Sequence, residues 1–210
     1  MGPSERRERE KQEVRRKILD AARELFAKHG YDAVTMRKIA EKIEYSPTAI
    51  YLHFKDIEEL IQELCENDFY TFSLRFAQAN TIEDPEARLR AAAQAYVDFA
   101  LEHPNQYRLM FMTPHPCDPG EKAMKRRGNP REDAYAYLRE LIQQSMDLGM
   151  VRKDVKDAEL VAQTVWAALH GVISLEITMN MNEDPWIVWA PLSERVRLTI
   201  DTLIYGLAKQ

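Results

Sequence analysis

Apolar residues recur along this chain at intervals of three and four, with charged and polar residues between them, which is the signature of amphipathic helices. Ile18, Leu19, Ala22, Leu25 and Phe26 make the first stripe, and Lys28, His29 and then Gly30 close it as a basic last turn followed by glycine. Thr35 is placed to cap a second helix, with Val34 stapled onto Ile39. That helix is short, because Ile43-Glu44-Tyr45 runs straight into Ser46-Pro47, an N-cap followed by proline at the first helical position. Ile50 and Phe54, four apart, then face inward. Asp56 with Glu59 three residues on forms a capping-box pattern that opens a long helix to about residue 79.

The punctuation stays legible beyond that point. Asp84-Pro85 opens a helix that His103-Pro104 closes, and a short helix over about 105–112 follows. Pro114, Pro116 and Pro119 predict a loop over 113–120, and the basic stretch 121–129 carries no clear signal. Pro130 to Leu148 is a predicted helix closed by Gly149, Asp157 can cap another from Ala158 to about Met181, and Ser193 to Leu207 is the last. No alternating run of five residues predicts a strand. The expectation is an all-α chain of about nine helices.

Charge distribution changes the picture more than net charge does. The formal balance of −5 divides into +4 over residues 1–55 and −9 over the remainder. Such asymmetry suggests a basic binding segment on an acidic body. The chain has 210 residues, 45% of them hydrophobic and 30% charged, which is ample for a core. Cys65 and Cys117 are far apart in sequence, so no disulfide framework is expected, and Cys65 reads as inert core in a reducing compartment. The opening MGPSERREREKQEVRRK is charged and unlike a secretory signal, and no apolar run approaches the roughly 18 residues of a membrane span. A cytoplasmic protein without membrane contact is expected.

Enzyme chemistry finds little support. No glycine-rich phosphate loop, HExxH or nucleophile-elbow pattern occurs, so neither catalysis nor a cofactor is expected. His115-Pro116-Cys117-Asp118 matches no closed zinc spacing, and no metal site is expected there.

The two short helices around residues 35–51 instead have the spacing of a helix-turn-helix. Arg37 and Lys38 sit in a first turn, where the helix dipole disfavours cations unless an anion such as phosphate arrives. Pro47, Thr48, Ala49 and Tyr51 lie on the outer and leading face of the next helix, where small and hydroxyl side chains can approach base edges. Tyr51, His53 and Lys55 can donate to phosphates around its far end.

At these residues the chain resembles the tetracycline-repressor (TetR) family. Ile18 to Leu60, ILDAARELFAKHGYDAVTMRKIAEKIEYSPTAIYLHFKDIEEL, matches that family's DNA-binding domain through Leu25-Phe26, Gly30-Tyr31, Thr35, Ile39-Ala40, Ser46, Ile50-Tyr51 and His53-Phe54. The resemblance implies phosphate contacts at Thr35, Tyr51, His53 and Lys55, with Arg37, Pro47, Thr48 and Ala49 at or beside bases. One departure is the turn, usually Gly-Val-Ser but here Glu44-Tyr45-Ser46; Glu44 would occupy a left-handed position at a cost of about 1 kcal/mol, and its charge would weaken operator binding.

Trp166-Ala-Ala-Leu-His170-Gly171, with His103-Pro104 and Tyr107 to Phe111, is similar to the family's C-terminal subclass named for a Trp-His-Gly motif. The resemblance implies a DNA-binding domain over 1–56 and a ligand-binding and dimerisation domain over 57–210. It implies a homodimeric repressor on double-stranded operator DNA, released by an as yet unidentified small-molecule effector. Tyr96, Phe99, Met110, Trp166 and His170 are the candidate ligand contacts, rigid aromatics beside flexible Met suiting an apolar or aromatic molecule. Phe69, Phe72 and Phe76 read as core, and His170 as a hydrogen-bonded structural residue before a ligand contact. Val196, Ile200, Leu203 and Leu207 form a seam suited to another helix, across the dimer or within the subunit. The alternatives are a helical regulator without an inducer and a helical enzyme.

Overall fold

The computed structural model describes residues 2–30, 32–112, 121–179 and 187–208. Among them are ten α-helices: α1 Pro3–His29, α2 Met36–Lys42, α3 Pro47–Tyr51, α4 Ile57–Leu74, α5 Pro85–Glu102, α6 Pro104–Phe111, α7 Glu121–Arg126, α8 Ala134–Asp147, α9 Ala158–Thr178 and α10 Leu192–Leu207. A 3-10 segment, Arg75–Thr81, follows α4, which therefore ends earlier than its apolar pattern predicts. No strand occurs among the described residues, only one isolated bridge between Val151 and Ala208.

The caps form where the sequence places them. Thr35 accepts from the Lys38 amide at 3.3 Å, Ser46 from Ala49 at 3.2 Å, and Asp56 from Glu59 at 2.8 Å. Asp84 and Asp157 likewise cap α5 and α9. The start of α8 differs from the Pro130 boundary, because the Asp133 carboxylate accepts from the Tyr135 and Ala136 amides and fixes the first turn three residues later. The tenth helix, α7, lies in the stretch without a clear signal.

The described chain divides into two compact units, Met1–Phe69 with Asn105–Lys125, and Tyr70–Pro104 with Arg126–Gln210. The first therefore reaches beyond residue 56. Leu60, Ile61 and Leu64 of α4 bury with Ile18, Ala22 and Phe26 of α1, Ile39 and Ala40 of α2, and Ile50 and Phe54 around α3, and Leu109 of α6 joins them. Cys65 lies on the same buried face and is disulfide-bonded, which corrects the expectation of an inert thiol. Distance along the chain does not limit which cysteines folding brings within bonding range. Cys117 falls with the whole His115 to Asp118 stretch outside the described residues.

In the second unit α9 packs between α8 and α10, with α5 against all three. Ile142, Ala158, Val161 and Ala162 make one core cluster there, with Leu207 against it. Among the described residues α9 alone is long and apolar enough to cross a membrane, with a mean hydropathy of 1.4 over its best window. It buries Val161, Ala162, Leu169 and Ile173 inside this unit.

Candidate nucleic-acid interface

Only two side chains of the third-helix region are anchored in the core, Ile50 at 0% and Phe54 at 1% exposure. Pro47 at the first helical position presets φ for a helix of five residues, and the Ser46 cap satisfies one of its orphan amides. The remaining positions point outward: Pro47, Thr48, Tyr51 and Lys55 are exposed, and Ala49 is half-buried. Thr35, Arg37 and Lys38 of the preceding cap and helix are exposed as well.

Their electrostatics differ residue by residue. Lys55 is almost fully solvated and lies 3.6 Å from Asp56, a weak surface pair that a phosphate can displace. The Arg37 guanidinium is 3.0 Å from Glu41 one turn on, again at the surface. Lys38 instead donates through Nζ to the Ala33 carbonyl at 2.6 Å, tying the α1–α2 connection to α2. His53 is half-buried with Nδ1 unpartnered. Burial, with the cations of Arg15 and Lys11 added to it, pushes its pKa below the ordinary histidine value. A neutral imidazole at pH 7 can offer phosphate one N–H and no charge, so His53 is a weaker contact than its residue type suggests.

Glu44 holds φ at +59°, the left-handed conformation its place in the turn implies. The Tyr45 amide donates to the Ala40 carbonyl at 2.9 Å, closing α2 as a Schellman-type end. Glu44→Gly is therefore expected to raise stability by about 1 kcal/mol in urea unfolding, since glycine adopts this conformation without a Cβ penalty. It also removes a negative charge beside the recognition helix and is expected to tighten DNA binding.

Arg15 is a positioning residue that sequence reasoning missed. From α1 it donates to the His53 carbonyl, reaches Glu63 of α4 through Nε at 2.9 Å, and lies 4.1 Å over the Phe54 ring. One guanidinium thereby joins α1, the end of α3 and α4. A second missed group is Asp68, 1% exposed, which accepts from Arg23 at 2.6 Å and 3.0 Å and from Gln106 at 3.1 Å. Burial pushes this carboxyl upward against the pull of Arg23 and Gln106. It was legible: Asp68 falls on the stripe of Ile57, Leu60, Ile61, Leu64, Cys65 and Phe72, where a charge needs a buried partner.

In the second unit the structure brings Tyr96, Trp166 and His170 together. Trp166 Nε1 donates to Tyr96 Oη at 3.2 Å, and Tyr96 Oη lies 3.5 Å from His170 Nδ1. Burial pushes the His170 pKa down. Phe99 is fully buried, its ring 4.9 Å from that of Phe72, which also meets Tyr96 and Phe76 edge-on at 5.7 and 5.0 Å. Met110 belongs to the first unit. Tyr137, absent from the predicted set, holds its ring 5.5 Å from that of Phe76 in a tilted pair and keeps a buried hydroxyl without a partner. An open polar cleft of about 610 Å³, lined by residues including Arg139, Gln143, Lys156 and Asp157, lies elsewhere in the unit.

A capped helix pair presenting exposed hydroxyl, aromatic and cationic side chains defines a helix-turn-helix DNA-binding domain. Residues 18–64 match the family described as bacterial regulatory proteins, tetR family, and residues 89–196 match the tetracyclin repressor-like C-terminal domain. The chain belongs to the TetR family of bacterial regulatory proteins and carries that family's DNA-binding domain. The general C-terminal description does not by itself support the narrower Trp-His-Gly subclass.

Among relatives, the transcriptional activator FasR of Mycolicibacterium smegmatis is 36% identical over 109 residues, covering 51% of this chain and 49% of that protein. The transcriptional repressor AcnR of Corynebacterium diphtheriae is 43% identical over 54 residues, covering 26% and 28%. The matched region thus spans half or less of each relative. A solved structure from Rhodococcus sp. RHA1, a protein of unknown function, is 26% identical with a TM-score of 0.71, covering 93% of this chain and 95% of that one. Both named relatives are transcriptional regulators.

Proposed function

We propose that the protein is a cytoplasmic homodimeric repressor that binds operator DNA through α3 and leaves it when an apolar or aromatic effector enters the second unit. The observation that carries the DNA reading is the α3 surface, where Ile50 and Phe54 anchor the segment while Thr48, Tyr51 and Lys55 stand in solvent. Repression rather than activation follows the likeness to AcnR, 43% identical over 54 residues; FasR is the contrary precedent.

We place the dimer face away from the α10 stripe of Val196, Ile200, Leu203 and Leu207. Val196 and Ile200 are buried inside their own unit and Leu207 packs on its core, because periodicity marks an apolar stripe without saying which neighbour covers it. Exposed apolar positions include Leu198 and Tyr205 of α10, flanking Thr202 at four- and three-residue steps, and Leu160, Ala167 and Leu175 of α9. We assign dimerisation to this face. The effector site is assigned to the aromatic group around Phe72, Tyr96 and Phe99, where the unpartnered Tyr137 hydroxyl can hold one polar atom of an otherwise apolar ligand.

Operator binding by the wild type and variants tests the reading. Lys55→Ala is expected to weaken all duplexes alike and to lower the salt slope by about 1 for each subunit. Thr48→Ala is expected to change preference by about 1–3 kcal/mol at one base pair. An unchanged slope for Lys55→Ala would sink the proposed docking. Trp166→Ala is expected to leave DNA binding intact and abolish effector release, which a mobility-shift titration reads directly.

A further inference from the structure

The first three turns of α1 stand outside the core. Residues 4–13 are all exposed, and burial begins only around Val14 and Arg15. This extension carries Arg6, Arg7, Arg9 and Lys11 against Glu5, Glu8, Glu10 and Glu13, so its charges cancel in sum. They do not cancel in space. Glu5 accepts from the Gly2 amide at 2.8 Å, Glu8 from Gln12 at 2.8 Å and Glu10 from Arg6 at 2.8 Å, and Glu13 lies 4.0 Å from Arg9. Every glutamate of the extension is thereby engaged within the helix. Arg7 and Lys11 pair with no carboxylate among the described residues.

Their position on the helix is set by the residues that follow. At 3.6 residues per turn, Arg7, Lys11, Val14, Arg15, Ile18 and Ala22 lie along one face. Ile18 and Ala22 are fully buried on that face. Where α1 overhangs the core, the same face becomes cationic. Arg15, on that stripe, donates to the His53 carbonyl at the end of α3, and Lys11 lies close enough to His53 to help depress its pKa. Lys11 stands one turn, about 6 Å along the axis, beyond Arg15, and Arg7 one turn farther. The stripe therefore starts beside the phosphate-facing end of the recognition segment and continues away from it.

We infer that Arg7 and Lys11 form a second DNA-phosphate contact site, extending the interface beyond the helix-turn-helix along the backbone of the same duplex. The inference rests on the α3 docking proposed above. Its chemistry is that of point charges neutralising phosphates, so it adds affinity without sequence preference. Arg6 and Arg9, engaged with Glu10 and Glu13 on other faces of the helix, contribute much less.

The test is fluorescence anisotropy of the full chain with a labelled mixed-sequence duplex several helical turns long, titrated over a range of KCl concentration. Arg7→Ala with Lys11→Ala is compared with Arg6→Ala with Arg9→Ala, which removes the same charge from the other faces. Alanine keeps the helix, and circular dichroism of both variants verifies it. The first pair is expected to lower the salt slope by about 2 for each subunit bound, and the second pair by less than half of that. Equal losses in the two variants, or no loss in the first, would overturn the inference. A Lys55→Ala variant run alongside separates the two readings. If it lowers the slope while Arg7→Ala with Lys11→Ala does not, the α1 site alone fails. If the wild type binds without salt dependence, the α3 docking fails and the α1 site with it.

Discussion

Asp68→Ala is expected to destabilise the first unit by about 3–5 kcal/mol, the usual result of removing one partner from a buried ion pair. Asp68 is 1% exposed and its Arg23 partner 15%, so truncation leaves a guanidinium in the core with only the solvated Asp20 to pair with. Gln106 loses its acceptor as well, and its own Oε1 is already unpartnered. Arg23→Met combined with Asp68→Leu is expected to recover most of the loss, because an apolar pair of similar volume carries no desolvation penalty. Urea unfolding monitored within the first unit measures both. A loss for Asp68→Ala below about 1 kcal/mol would mean that the pair behaves like one at the surface.

The second large effect concerns assembly. Leu198→Glu is expected to give a folded monomer whose operator affinity falls by about 10²–10⁴-fold, the contribution made when one linked site holds the second in place. Leu198 is 63% exposed in the isolated subunit, so the substitution costs the fold little, yet it puts an unpaired charge at the centre of the proposed dimer face. Val196→Glu, by contrast, is expected to unfold the second unit, because Val196 is 4% exposed there. Sedimentation velocity distinguishes the three species. A wild type that sediments as a monomer at micromolar concentration refutes the assignment.

The local grammar of the chain was legible. Caps at Thr35, Ser46, Asp56, Asp84 and Asp157 form as their residue types require, and Glu44 takes the left-handed turn that its position between α2 and α3 dictates. What escaped was non-local or featureless. The first turns of α1 bury nothing, so no periodic apolar signal marks them, and the pattern begins at Ile18 although the helix begins at Pro3. Arg15 could not be singled out among seven basic residues before Ile18, since its role depends on Glu63, Phe54 and the His53 carbonyl far along the chain. The α10 stripe was visible, but periodicity alone could not say that Leu207 packs on the core of its own unit.

The five-residue α3 divides its labour unusually cleanly between holding and reading. Two anchors, Ile50 and Phe54, fix its place, and the positions that would meet bases and phosphates contribute almost nothing to the core. Substitutions at such exposed sites ordinarily change stability by no more than about 0.5 kcal/mol. Selection, or an engineer, can therefore exchange Thr48 for another side chain and shift the preferred operator without first having to rebuild the scaffold. Descendants of one ancestral regulator can diverge in the genes they address while every intermediate along the way remains folded.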